Sequence, residues 1–185
     1  MRVIAGSHKG RQLKAASKKV TRPTSDKIKE SLFQQIGPYF EGGVCLDLYA
    51  GSGALGIEAI SRGVDSAVLV DKNPHAIHTI KENMERLQLE NQVEIYRLDA
   101  KRALHALHKK AQQFQLIFID PPYDKADFSG VIENILMLDL LAENGLICCE
   151  YAISHQLPVT PESLTVMKQK KYGSTTGITI YTKKQ

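Results

Sequence analysis

The four residues Asp120-Pro121-Pro122-Tyr123 carry the sharpest chemical signal in this 185-residue chain. They end LIFID (116–120), an apolar run that reads as a buried strand. A diproline cannot continue a central strand and supplies no N–H groups, so it fixes a rigid turn at the sheet edge. The turn holds a carboxylate, Asp120, beside backbone carbonyls and an aromatic plate, Tyr123. These types suit the exocyclic amine of a nucleobase. Such an amine is conjugated with its ring and is a poor nucleophile. Acceptors around the NH2 hold it and favour pyramidalisation as its lone pair turns toward a methyl donor. Asp120 and the Pro121 carbonyl are the natural acceptors, and Tyr123 can stack on the base, worth about 1–3 kcal/mol. The base must first leave its stack or lie in an unpaired loop. Nitrogen attacks the methyl directly, so neither a metal nor a cysteine nucleophile is expected. The remaining work is positioning backed by electrostatics.

A methyl donor needs its own site, and LDLYAGSGALG (46–56) is placed to form one. Gly51, Gly53 and Gly56 match the dinucleotide spacing G-x-G-x-x-G, which NAD and flavin proteins share. Asp47 separates the readings. It stands just before the glycine turn, where a pyrophosphate would lie and a carboxylate would repel it. A ligand with an ammonium group and a sulfonium suits it better, and S-adenosylmethionine is such a ligand. The next strand ends in Asp71, placed to accept from ribose hydroxyls. The third ends in Asp99-Ala100, where the carboxylate can take the adenine amine and the backbone N–H a ring nitrogen. Asp99 has an equally good alternative role as a helix cap. Three acids at consecutive strand ends converge on one sheet edge.

The elements that position these residues alternate. VCLDLY (44–49), AVLVD (67–71), VEIYRLD (93–99), LIFID and GLICCEY (145–151) read as buried strands. Between them lie helical patterns, the clearest at 74–89, with Ile77, Ile80, Met84 and Leu87 on one stripe. Asn73 is placed to cap that helix, with Pro74 at its first position. Other helices are expected from near Ala54, Ala100 and Asp127. This alternation implies a parallel sheet with helices on both faces. LTVMKQKKY (164–172) and TGITIYT (176–182) have no helix between them and should close the chain as a hairpin through Gly173-Ser174. At the other end, RVIAG (2–6) and RQLKA (11–15) flank SHKG, a plausible hairpin turn. An amphipathic helix follows at about 25–37, with Ile28, Leu32, Phe33 and Ile36 on one face and Thr24 or Ser25 as cap.

Charge is uneven. Residues 1–30 hold nine basic and two acidic side chains, a net +7, which leaves −3 for the rest of a +4 chain. A basic arm on a mildly acidic body is the footprint of a nucleic-acid partner, although a solvated tail has the same charge. Cys45, Cys148 and Cys149 lie in apolar runs and read as buried small hydrophobes, not a disulfide or zinc set. No apolar run approaches the roughly 20 residues of a membrane span, and the N-terminus has no signal-peptide core. A cytoplasmic monomer is expected.

On these residues the chain resembles the small bacterial methyltransferases that modify guanine N2 in 16S ribosomal RNA. RVIAGSHKGRQL (2–13), RPTSDKIKESLF (22–33), LDLYAGSGALGIEAISRG (46–63), IDPPY (119–123) and YGSTTGITIY (172–181) carry the likeness over nearly the whole chain. The resemblance implies a class I S-adenosylmethionine-dependent methyltransferase fold. That fold is a mostly parallel seven-stranded sheet with a C-terminal antiparallel hairpin, here with a small N-terminal hairpin extension. It implies an arm over 1–23 and a methyltransferase domain over 24–185. It assigns Asp47, Tyr49, Gly51, Gly53, Asp71, Lys72, Asp99 and Ala100 to the cofactor, and Asp120, Pro121 and Tyr123 to the guanine. Arg2, Lys9, Arg11 and Arg22 become RNA contacts, and a nearly assembled small ribosomal subunit becomes the substrate. Tyr49 departs from the phenylalanine of the family pattern. Competing readings are a DNA amine methyltransferase, a non-catalytic rRNA-binding assembly factor and an NAD-dependent dehydrogenase. DNA enzymes normally carry a target-recognition domain, for which this chain has no room. Protein glutamine methyltransferases carry Asn where Asp120 stands.

Overall fold

A computed structural model describes residues 1–16, 26–122, 127–154 and 160–184. In chain order the elements are α1 (Asp26–Ile36), β1 (Val44–Asp47), α2 (Ala54–Ser61), β2 (Ser66–Val70), α3 (Pro74–Leu87) and β3 (Val93–Tyr96). They continue with α4 (Ala100–His108), β4 (Phe114–Ile119), α5 (Phe128–Met137), β5 (Leu141–Ala152), β6 (Leu164–Tyr172) and β7 (Thr176–Lys183). One seven-stranded sheet runs in the order β3-β2-β1-β4-β5-β7-β6. The first five pair in parallel, and β7 joins β5 and β6 antiparallel. The expected closing hairpin is present.

Strand residues alternate between two apolar layers, as the two-residue period demands. Leu32, Phe33, Ile57, Ile60, Ile80 and Met84 pack α1, α2 and α3 on one face. Leu104, Leu107, Ile132 and Ile135 pack α4 and α5 on the other. Cys45, Cys148 and Cys149 are buried free thiols, and burial raises all three pKa values. Local signals set the helix starts. Asn73 accepts from the His75 N–H at 2.9 Å, with Pro74 opening α3. Asp127 caps α5 through the Gly130 N–H at 2.9 Å. Thr24 and Ser25, expected as caps for α1, lie outside the described residues. Among the described residues, no helix is long and apolar enough to cross a membrane.

Two strands stop short of the expected acids. β1 ends on Asp47 itself, but β2 ends at Val70 and β3 at Tyr96, so Asp71 and Asp99 stand in the loops beyond. The expected N-terminal hairpin is present. Arg2 bridges Gln12, the Val3 N–H donates to the Arg11 carbonyl at 3.0 Å, the Leu13 N–H to the Met1 carbonyl at 3.0 Å and the Gly10 N–H to the Val3 carbonyl at 2.9 Å. Acceptors on α2 anchor it. The Ile4 and Ala5 N–H groups donate to the Glu58 carboxylate at 2.9 and 3.1 Å. The Ser7 N–H donates to the Ser61 carbonyl at 2.8 Å, and the His8 N–H to the Ser61 hydroxyl at 3.0 Å. Val3 and Leu13 are buried in the first apolar layer, so residues 1–16 lie against the sheet domain.

Glu58 anchors this contact. It is fully buried, with Lys29 Nζ at 3.2 Å and Arg62 Nε at 2.7 Å. Burial lowers the Lys29 pKa, and Glu58 opposes that shift. Lys29 also donates to the Arg2 carbonyl at 2.6 Å. Gly6 sits in the tightest spot. Its φ is +84°, and a Cβ there would lie 1.6 Å from the Ser61 carbonyl oxygen. Gly6→Ala should destabilise the protein by roughly 1–3 kcal/mol and loosen the arm. A lowered melting temperature with faster tryptic cleavage at Lys9 and Arg11 is the expected readout. A native melting temperature and cleavage rate would mean the arm is not held there.

Candidate active site

The loops that follow β1, β2, β3 and β4 all open on one edge, because these four strands run parallel. Strand order reverses at β1, between β2 and β4, and a crevice at such a switch point is where open α/β sheets bind ligands. Asp47 ends β1 in that crevice. Gly51 and Gly53 turn the chain with φ of +57° and +81°, and Gly53 opens α2. Gly56 lets the helix press on the sheet: a Cβ there would meet Leu69 Cδ2 at 2.4 Å. All three glycines are therefore used as the spacing predicts.

Asp47 is 1 % exposed. Burial pushes its pKa up to about 7, and the Asp71 carboxylate adds to that, while the Tyr49 and Gly56 backbone amides pull the other way. Its Oδ1 has no hydrogen-bond partner among the described residues. A buried acceptor without a donor is costly, and a ligand N–H with positive charge would satisfy it. This acceptor fits the ammonium end of S-adenosylmethionine and does not fit a pyrophosphate.

Asp71 is half-buried and holds the loop from the neighbouring strand. Its Oδ2 accepts from the Gly51 N–H at 3.0 Å and its Oδ1 from the Asn73 N–H at 2.8 Å. Lys72, beside it, is exposed. Asp99 is a helix cap: it accepts from the Arg102 N–H at 3.0 Å and pairs with Arg102 Nε at 3.5 Å, both in solvent. Ala100 is buried as the first residue of α4. Tyr49 is half-buried, and its phenol is pushed up to about 12 by burial, then by the Asp127 and Asp99 carboxylates. It is therefore a neutral phenol at neutral pH.

Asp120 is half-buried just past the end of β4, followed by buried Pro121 and exposed Pro122. β4 lies beside β1, and Asp47 stands opposite Phe118, so Asp120 and Asp47 are at the same edge of the sheet. Tyr123 lies outside the described residues, as does Arg22. The remaining basic candidates are on the arm. Arg2 pairs with Asp26 at 3.5 Å, and Arg11 donates to the Arg86 carbonyl at 2.9 Å. Lys9 is exposed.

The family described as Conserved hypothetical protein 95 matches residues 1–182. The chain belongs to that family. It is 47% identical over 184 residues to the putative rRNA methyltransferase YlbH of Bacillus subtilis, covering 100% of both chains. It is 33% identical to the ribosomal RNA small subunit methyltransferase D of Haemophilus influenzae, over 98% of this chain and 91% of that one. A solved structure of a putative methyltransferase from Escherichia coli superposes with a TM-score of 0.83 at 27% identity, covering 99% of this chain and 97% of the other. The sheet order and the closing hairpin are those of a methyltransferase, and a methyltransferase is what this family member is.

Sequence reasoning missed Glu58, Lys29 and Asn83. Each was visible as a polar residue on an apolar stripe. Lys29 shares a face with Leu32, Phe33 and Ile36, and Asn83 stands between Ile80 and Leu87. What each one bonds lies far away in the chain.

Proposed function

We propose that this protein transfers a methyl group from S-adenosylmethionine to the exocyclic N2 amine of a guanine in small-subunit rRNA. The observation that carries the reading is the buried Oδ1 of Asp47, which has no partner among the described residues and stands at the end of β1, beside the strand that leads to Asp120-Pro121. The names of the relatives, rRNA methyltransferases of the small subunit among them, support the acceptor.

The cofactor supplies an electrophilic methyl on a sulfonium. Asp47 binds its ammonium group, Gly51 and Gly53 let the backbone approach it, and Asp71 with Lys72 meets the ribose. Tyr49, Asp99 and Ala100 line the adenine side, with Asp99 accepting through the lone pairs its cap leaves over. Asp120 and the Pro121 carbonyl accept from the guanine NH2 and hold its lone pair toward the methyl. Tyr123 stacks on the ring. The arm over 1–23 supplies phosphate contacts through Arg2, Lys9, Arg11 and Arg22, and the assembled small subunit is the substrate. The protein acts as a cytoplasmic monomer.

Tritium transfer from labelled cofactor to small subunits lacking the modification tests this. Label recovered in N2-methylguanine is the expected result. Cofactor binding without label in RNA would favour a non-catalytic binding factor, and label in DNA supplied in a parallel reaction would make it a DNA enzyme.

The arm makes a separate prediction. Phosphate contacts give affinity without reading sequence, and each contact to single-stranded RNA contributes about 0.7 to the slope of log K against log salt. Lys9→Ala with Arg11→Ala should weaken RNA binding and flatten that slope by about 1.4. Arg11 must leave the Arg86 carbonyl to reach RNA, so Lys9 should carry the larger single effect. Binding unchanged across a salt titration would remove the arm from the interface.

A further inference from the structure

We infer that Asn83 is a positioning residue that ties the arm to the cofactor loop, so that RNA and cofactor bind cooperatively. The inference rests on the proposed reading that the arm meets RNA and the glycine loop meets the cofactor.

Asn83 lies on α3, on the stripe that faces the sheet, and is 1% exposed. A carboxamide has two N–H donors and one carbonyl acceptor. Asn83 uses its donors on the Lys14 carbonyl at 3.0 Å and the Ser52 carbonyl at 2.9 Å. Its acceptor takes the Lys14 N–H at 2.8 Å. It thus grips both backbone groups of Lys14 in the manner of a neighbouring strand. At the same time it holds a carbonyl inside the glycine loop. Ser52 stands between Gly51 and Gly53, whose positive φ values shape the loop. Asp71 holds the Gly51 N–H from the other side, so the loop is fixed between two side chains.

The arm reinforces this clamp. Lys14 Nζ pairs with Glu82, one residue before Asn83, at 2.8 Å. The Met1 sulfur lies 3.9 Å from the Ser52 hydroxyl. Glu58 holds Ile4 and Ala5 on α2, the helix that leaves the same loop.

Detaching the arm removes two of the three bonds of a buried amide. A buried amide left short of partners is unfavourable, so Asn83 then shifts or admits water. A shift releases the Ser52 carbonyl, and water in place of Lys14 leaves it held by a less rigid side chain. A ligand that holds the arm down favours the formed loop, and a ligand that fills the loop favours the docked arm. Such linkage is reciprocal, with coupling factors typically about 5–150.

The test measures the affinity of the full-length protein for S-adenosylhomocysteine, with and without unmodified small subunits. In the native protein, saturating subunits should tighten cofactor binding at least about fivefold. Asn83→Ala should bring that factor close to unity while leaving each ligand bound more weakly. Asn83→Asp keeps the acceptor for the Lys14 N–H and loses both donated bonds, so it should also uncouple the sites. Hydrogen exchange in the native protein gives a readout free of substitution: S-adenosylhomocysteine should slow exchange of the Lys14 amide. Native protein that binds neither ligand overturns the functional reading, and this inference with it. Native protein that binds both without coupling, a coupling factor unchanged in folded variants, or unaltered Lys14 exchange overturns the inference alone.

Discussion

Asp120→Ala should lower kcat for methyl transfer by at least about a hundredfold to a thousandfold, with cofactor affinity little changed. Asp120 stands past the end of β4, and the cofactor residues stand at the end of β1 and past β1, β2 and β3. The two sets share a crevice without sharing side chains. A guanine amine is planar and conjugated in its ground state, so an acceptor that holds it as it pyramidalises stabilises the transition state more than bound substrate. Loss of that acceptor therefore falls on kcat rather than on KM. Asp120→Asn keeps one carbonyl acceptor and should fall between the two. Single-turnover transfer to unmodified subunits, with cofactor affinity measured in parallel, separates the effects. Full activity in the Ala variant would overturn the assignment of Asp120.

The second large effect belongs to Asp47 and has two opposite faces. Asp47→Asn should weaken cofactor binding by roughly thirtyfold or more, the usual scale for truncating one member of a buried charge pair. It should also stabilise the ligand-free protein at pH 8. The ordinary carboxyl pKa is 3.8, and in the fold it is raised to about 7. A group raised on folding contributes stability that is present below its unfolded pKa and lost as pH rises through its folded one. The ligand-free protein should therefore lose stability from this group between about pH 4 and 7, and Asn should abolish that slope. Cofactor binding should behave in the opposite sense. An ammonium ligand pairs with the ionised carboxylate, so affinity should rise from pH 6 to 8 in the native protein and stay flat in the variant. Thermal unfolding and calorimetry across that range check both statements. A native pH dependence in Asp47→Asn would place the titrating group elsewhere.

How much of this was legible beforehand varies by residue. DPPY needed only chain order, because a diproline ends a strand wherever it stands. The glycine spacing was equally local: two positive φ values and one close helix approach follow from the residues themselves. Asp99 was legible only as a pair of alternatives. The structure spends its geometry on the cap, since the Arg102 N–H is three residues away and needs no ligand. The arm was legible as a hairpin from its two flanking segments, and Val3, Gly10, Arg11 and Leu13 join across it. Its anchoring on Glu58 and Ser61, more than fifty residues on, was not legible.

The amino-acid sequence by itself determined the strand-helix alternation, the closing hairpin, the caps of α3 and α5, and the order of acids and glycines along the chain. Each depends on periodicity or on contacts within a few residues, which short-range sterics and capping control. Only the tertiary structure decided which polar groups keep their partners. Asp47 has an oxygen without a partner among the described residues because packing leaves the residue 1% exposed. Asn83 joins Lys14 to Ser52 because three segments distant in sequence meet at one buried point. Burial and hydrogen bonding across such separations are properties of the packed chain, and no local pattern encodes them.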